Sequence, residues 1–177
     1  YDVLSVANNH TMNFKPDCLL QTINELNKHE IQTAGGGVNQ DAAHTPALLE
    51  VKGRKIAIQA YDDANIPGYQ GFAEWDKPGI ALMKIESMRN DVKNALAHGA
   101  DIVIVSMHAG SEYVRQPNQF KKDFARAAID AGASAVIGHH PHWVQPCEEY
   151  NDGIICYSLG NFVFDQMWSW DTQVGLI

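Results

Sequence analysis

The sequence lacks any long hydrophobic run. No stretch reaches the roughly 18 apolar residues of a membrane-spanning helix, and no signal-peptide-like core is present. Basic residues are also scarce: 13 Lys and Arg stand against 21 Asp and Glu, for a formal charge of −8. Phosphate backbones need Lys/Arg clusters, and none occurs, which excludes nucleic acid as a main partner. Cysteine is sparse. Three residues with no CxxC pair define neither a disulfide framework nor a thiolate zinc site. Cys18 reads as a small core residue of a helix. Cys147 and Cys156 flank the turn signal Tyr150-Asn151-Asp152-Gly153. They oppose each other if the loop is Asn151-Asp152 and slip out of register if Gly153 forms a bulge. On cysteines alone the compartment stays open.

What the chain does have is enough apolar residue, 45% of 177 positions, for one substantial core, so residues 1–177 read as a single domain. The first residues already read as a strand and the last stop inside an apolar run, so a fragment truncated at both ends is expected. Short apolar runs alternate with helical periodicity. Strands are expected at Val3–Val6, Ile31–Ala34, Lys55–Tyr61 (entered through a Lys52-Gly53 turn), Asp101–Met107 and Ala135–Ile137. One helix starts near Pro16, with Leu19, Ile23 and Leu26 inward. A second runs from Lys84 to His98 on Ile85, Met88, Val92 and Leu96. A third follows Pro117 on Phe120, Phe124, Ala128 and Ile129. The Gly-, Pro- and aromatic-rich stretch Asn65 to Pro78 reads as a long surface loop. Beyond Trp143 the pattern becomes hairpin-like, with strands at Val144–Tyr150, Ile154–Leu159 and Phe162–Phe164. Strand–helix–strand succession gives parallel pairing with helices on the faces, and the closing hairpins suggest a second, more antiparallel sheet region. The fold class is α/β.

Ligands of open parallel sheets gather beyond the carboxyl ends of the strands. Here Ala7-Asn8-Asn9-His10, His108-Ala109-Gly110-Ser111-Glu112 and Gly138-His139-His140-Pro141-His142 each follow such an end. Five of the eight histidines thus fall where they can converge, and neutral imidazole with an Asn carbonyl oxygen suits a divalent ion. Pro141 disfavours the helical region for His140, so an extended segment is expected. His140 and His142 then point one way, as ligands, and His139 the other, behind the ligands or towards substrate. His29 and His98 end helices, where an imidazolium complements the dipole. His44 reads as a solvated loop residue.

These motifs, together with Tyr157-Ser158-Leu159-Gly160-Asn161-Phe162, resemble in order and spacing the CapA family of capsule (poly-γ-glutamate) synthesis. That family is in turn similar to the calcineurin-like metallophosphoesterases. The resemblance implies a metallophosphoesterase-like layered sandwich of mixed β-sheets flanked by helices, lacking its N-terminal part. It implies Asn9, His108, His140 and His142 as metal ligands and His10 as general acid, with His139 standing where glycine is usual. Glu112, Asn161 and Asp165 occupy motif positions, where they serve metal, substrate or the holding of loops. Two divalent ions (Mn, Fe or Zn) are implied for a complete domain. The superfamily's two earlier acidic motifs precede the Asn-His pair and are missing here, so the fragment alone is expected to be nearly inactive.

The implied function is metal-dependent phosphoester hydrolysis in the biosynthesis of poly-γ-glutamate or a related surface polymer. The alternative is a non-catalytic polymer assembly or export factor that retains the fold. The implied partners are capsule polymer or a phosphoester substrate, and capsule synthase membrane proteins. The implied location is the extracytoplasmic bacterial cell surface, anchored through a segment outside this chain.

Overall fold

The computed structural model of the protein describes residues 1–65 and 71–177. Strand β1 (Val3–Ser5) leads into helix α1 (Lys15–Lys28), where Pro16 sits in the first turn and its missing N–H goes unneeded. Strands β2 (Gln32–Ala34) and β3 (Gly36–Gly37) precede the short helix α2 (Gln40–His44), capped by the Asn39 side chain, which accepts from the Ala42 N–H. Strands β4 (Ala47–Val51) and β5 (Arg54–Asp62) form a hairpin. Its turn residues Lys52 and Gly53 both have positive φ, as a two-residue type I′ connection requires. Then come β6 (Gly79–Ile80), α3 (Ile85–Ala97), β7 (Ile102–His108), α4 (Gln119–Asp130), β8 (Ala135–His139), β9 (Val144–Tyr150) and β10 (Gly153–Leu159).

One six-stranded sheet has the order β4-β5-β7-β8-β10-β9. Strands β5, β7, β8 and β10 run parallel, and β4 and β9 close the two edges antiparallel. Val103, Val105 and Met107 of β7 share a core with Ile155 and Tyr157 of β10, Met88 and Val92 of α3, and Phe124 and Ala128 of α4. Side chains alternate along a strand, so Asp62, His108 and His139 lie on the opposite face. There a second layer, built on β1, β2 and α1, meets the sheet through Ala7, Ala34, Ala47 and Ala60. Asp62 pairs in register with His108, and His108 with His139, so three adjacent strands end level at the carboxyl edge. The close approach of β8 to β10 explains Gly138, where a Cβ would land on the Tyr157 carbonyl oxygen.

The layered α/β arrangement agrees with the sequence reading, and the differences are local. The closing hairpin does not start a second sheet; β9 and β10 extend the main one. Residues Phe162 to Phe164 form no strand, since no neighbour offers them a ladder, and all three are exposed. Leu96 faces outward and Ala95 takes its place in the core. Helix α2 and strand β4 were not anticipated, being short and without clear periodicity. Of the expected loop from Asn65 to Pro78, residues 66–70 lie outside the described residues, and the rest makes bridges at Phe72–Ile80 and Glu74–Lys77. Gly153 pairs with Tyr150, so the hairpin loop is Asn151-Asp152 and Cys147 stands opposite Cys156. The two are joined in a disulfide. Cys18 is only half buried.

Candidate functional site

The carboxyl edge of the sheet and the loop after β1 converge. Asn9, buried in that loop, places its Oδ1 3.1 Å from His108 Nε2 at the end of β7. The His108 and His140 ring centres are 4.9 Å apart, and those of His140 and His142 are 6.2 Å apart. His142 Nδ1 contacts Asn161 Oδ1 at 2.9 Å, and its Nε2 lies 4.0 Å from Glu112 Oε1. Asn161 is fixed in turn by donating to the Thr172 carbonyl. A cleft of about 520 Å³ is lined by His108, His139, His140, His142, Asn161 and Phe164, among others. His10 is exposed near it, close enough for its charge to act on His140. Its Nδ1 lies 3.0 Å from Asn13 Nδ2. Asp165 is exposed and does not line the cleft.

The backbone that carries the HHPH run is not extended. His140 has φ 91° and His142 φ 59°, both in the left-handed region that L side chains rarely adopt. The proline does bar the helical region to His140, but the chain escapes it by turning to positive φ. The extended-strand argument for His140 and His142 sharing one direction is therefore overturned. Their rings converge through a tight turn, held where the Tyr113 N–H donates to the Pro141 carbonyl at 2.9 Å. Tyr113 also stacks on the His142 ring, with centres 5.8 Å apart and planes 22° from parallel.

Burial sets the electrostatics. It drives the His108 pKa down to about 2, helped by the neighbouring His140 and His139, and drives His139 down to about 4. Burial also lowers His140 to about 4, against the pull of Glu112. At neutral pH these imidazoles are uncharged, the form in which nitrogen binds a metal. His140 Nε2 is buried and has no hydrogen-bond partner. An amide oxygen and two neutral imidazoles, one of them with an orphaned nitrogen, fit a single cation held by Asn9, His108 and His140. Among the described residues, no group of three His, Cys, Asp or Glu side chains is placed to hold an ion, so the fit depends on the Asn9 amide.

Three site residues escaped the sequence reading. Asp62 ends β5 and Asp63 follows it, much as His108 and His139 end their strands, and both are buried. The strand-end rule, applied to Lys55–Tyr61, would have found them. Burial raises the Asp62 pKa to about 8, with Asp63 adding to the shift. Lys121 is fully buried, and its ammonium contacts the carbonyls of Ala109 and His139. Its signal was a lysine on the inward face of a helix, in line with Phe124 and Ala128. His44, expected in solvent, is instead largely buried in α2, with Nδ1 2.6 Å from Asp91 Oδ2, which also accepts from the Tyr61 hydroxyl.

Fold and site together define a layered α/β protein with a histidine cluster at the carboxyl edge of its main sheet. The chain belongs to the bacterial capsule synthesis protein PGA_cap family, which matches over residues 1–166. It is 38% identical over 170 residues to the PGA biosynthesis protein CapA of Bacillus subtilis, covering 96% of this chain and 44% of that protein. It is 34% identical over 172 residues to the capsule biosynthesis protein CapA of Bacillus anthracis, covering 96% and 41% respectively. A probable polyglutamine synthesis accessory protein of Mycobacterium tuberculosis is 33% identical over 174 residues, covering 92% and 45%. The chain thus spans less than half the length of these curated relatives. A crystal structure of a hypothetical protein from Thermus thermophilus superimposes with a TM-score of 0.58 at 16% identity, covering 90% of this chain and 53% of that one. That likeness shows the fold.

Proposed function

We propose that this chain is the metal-binding part of a metal-dependent phosphoesterase-like hydrolase serving the biosynthesis of poly-γ-glutamate or a related surface polymer. The observation that carries the reading is the buried, partnerless His140 Nε2 beside the His108–Asn9 pair. A bound divalent ion (Mn, Fe or Zn) would supply charge neutralisation and an acidified water; two ions together would also clamp an in-line transition state. Asn9, His108 and His140 would hold the first ion, and His142 is the residue left for a second. His10, as an imidazolium, would donate a proton to the leaving oxygen and end as the neutral imidazole. Capsule polymer or a phosphoester is the proposed substrate, with capsule synthase membrane proteins as partners. The Cys147–Cys156 disulfide supports placement outside the cytoplasm, at the cell surface, since such bonds persist where thiols are not kept reduced.

A second reading, a non-catalytic assembly or export factor, is favoured by the absence of any three-residue His/Cys/Asp/Glu metal group among the described residues. Hydrolysis of p-nitrophenyl phosphate and its bis ester, with Mn²⁺ or Zn²⁺, separates the two. The chain alone should turn over very slowly. A protein extended to the length of its relatives should be active, and His10→Ala in it should lose roughly 10²–10⁴-fold in rate while retaining metal. Metal binding by the extended protein with no cleavage across a broad phosphoester panel would establish the assembly factor instead.

A further inference from the structure

Lys121 is a lysine in the core of an α/β domain, with no measurable exposure. Its Nζ donates to the Ala109 carbonyl at 3.1 Å, the His139 carbonyl at 3.5 Å and Gln145 Oε1 at 3.3 Å. An ammonium has three N–H donors, and here each meets an acceptor from a different segment. Ala109 directly follows His108, His139 directly precedes His140, and Gln145 is the second residue of β9, three positions after His142. The network continues outward. The Ala109 N–H donates to the His139 carbonyl at 3.2 Å, and Gln145 Nε2 donates to the Val114 carbonyl at 3.0 Å, in the loop that carries Glu112. One side chain thus ties together three stretches of chain that carry or adjoin the candidate histidine ligands.

The position is a costly one for a charge. Burying an ammonium here forfeits its hydration and pulls the Lys121 pKa down to about 7, against the opposing charge of Asp63, and a methionine of similar length would fill the same space without that penalty. The loop it braces needs bracing, because His140 and His142 both hold left-handed backbone that relaxes unless its surroundings fix it. We infer that Lys121 is the positioning residue of the site, setting the separation of the His108 and His140 rings from behind without touching substrate or metal. The inference rests on the proposed site, but its test does not require that site to bind metal.

The test uses the full chain and compares Lys121→Met with Val92→Ala. The latter removes core contacts on α3 and serves as a control for lost stability alone. Long-range ¹H–¹⁵N spectra of the metal-free imidazoles should show the His108 and His140 ring nitrogens displaced in Lys121→Met and unmoved in Val92→Ala. Zinc titrated into the same proteins should bind roughly 10–100-fold more weakly to Lys121→Met, the usual consequence of losing a residue that orients ligands from behind. If zinc does not bind the unmodified chain, the metal reading fails while displaced rings still establish the clamp. If Lys121→Met does not fold, Gln145→Met decides: it removes one of the three acceptors and should move the same rings by less. Ring signals in the foldable variant that match those of the Val92→Ala control would overturn the inference and leave Lys121 as a space-filling residue.

Discussion

A carboxyl group sealed from water is comfortable only in its neutral form, and Asp62 is sealed, with a backbone hydrogen bond from Asp63 offsetting only part of the cost of its charge. Burial raises its pKa from 3.8 to about 8. The stability contributed by its neutral form is therefore fully present below about pH 4 and lost as the pH rises through 8. Asp62→Asn keeps the shape and removes the proton. Urea unfolding should show the variant gaining on the unmodified protein as pH rises from 4 to 8, by on the order of 2–5 kcal/mol at the upper end. The buried histidines act in the opposite direction. Their depressed pKa values contribute stability above pH 6.5 that fades as pH falls through 4, and for this reason the difference between the two proteins is the informative quantity. A difference that stays flat with pH would mean that Asp62 is hydrated in solution. At this scale the sequence was legible for residue type and strand-end placement, as with Asn9 and His108. It was not legible for backbone sign: the rule that proline excludes helix at His140 left extended and left-handed conformations both open, and tertiary bracing chose the rarer one.

Among the elements, periodicity marked α1, α3, α4 and the long parallel strands, because each buries one consistent face. It could not mark α2, β3, β4 or β6. These elements run from two to five residues, shorter than a period-based argument can resolve, and are fixed by neighbours distant in sequence. Helix α2 is held by the His44–Asp91–Tyr61 contacts, which span α2, α3 and β5. The hairpin β9–β10 is held at the sheet edge, where only β10 has a second strand neighbour. Its disulfide joins residues separated by 9 positions and so constrains the unfolded chain modestly. Replacing Cys147 and Cys156 together by serine should cost about 2–3 kcal/mol in urea unfolding. The site histidines should keep their signals, since the bond lies well along the hairpin from its His142 end. A loss of those signals would show that the hairpin, rather than the Tyr113 and Lys121 contacts, holds the HHPH turn.

In the whole molecule, the two layers meet so that a loop from one and three strand ends from the other share a single edge. Asn9 comes from the β1 layer, and His108 and His140 come from the main sheet, so the proposed ligand set draws on both layers. The general α/β rule for strand ends predicted this convergence from sequence, while the buried Lys121 behind it had one local signal, its place in line with Phe124 and Ala128 on the inward face of α4, and its acceptors came from distant segments. The central claim is that the shared edge holds one divalent cation through Asn9, His108 and His140. Calorimetric titration of Zn²⁺ and Mn²⁺ into the chain, and into its His108→Ala, His140→Ala and His139→Ala variants, tests it most directly. The account predicts one ion per chain, binding abolished or weakened at least roughly tenfold by His108→Ala and by His140→Ala, and a smaller loss in His139→Ala. No binding to the unmodified chain, or binding that survives both the His108 and the His140 substitutions unchanged, would contradict it.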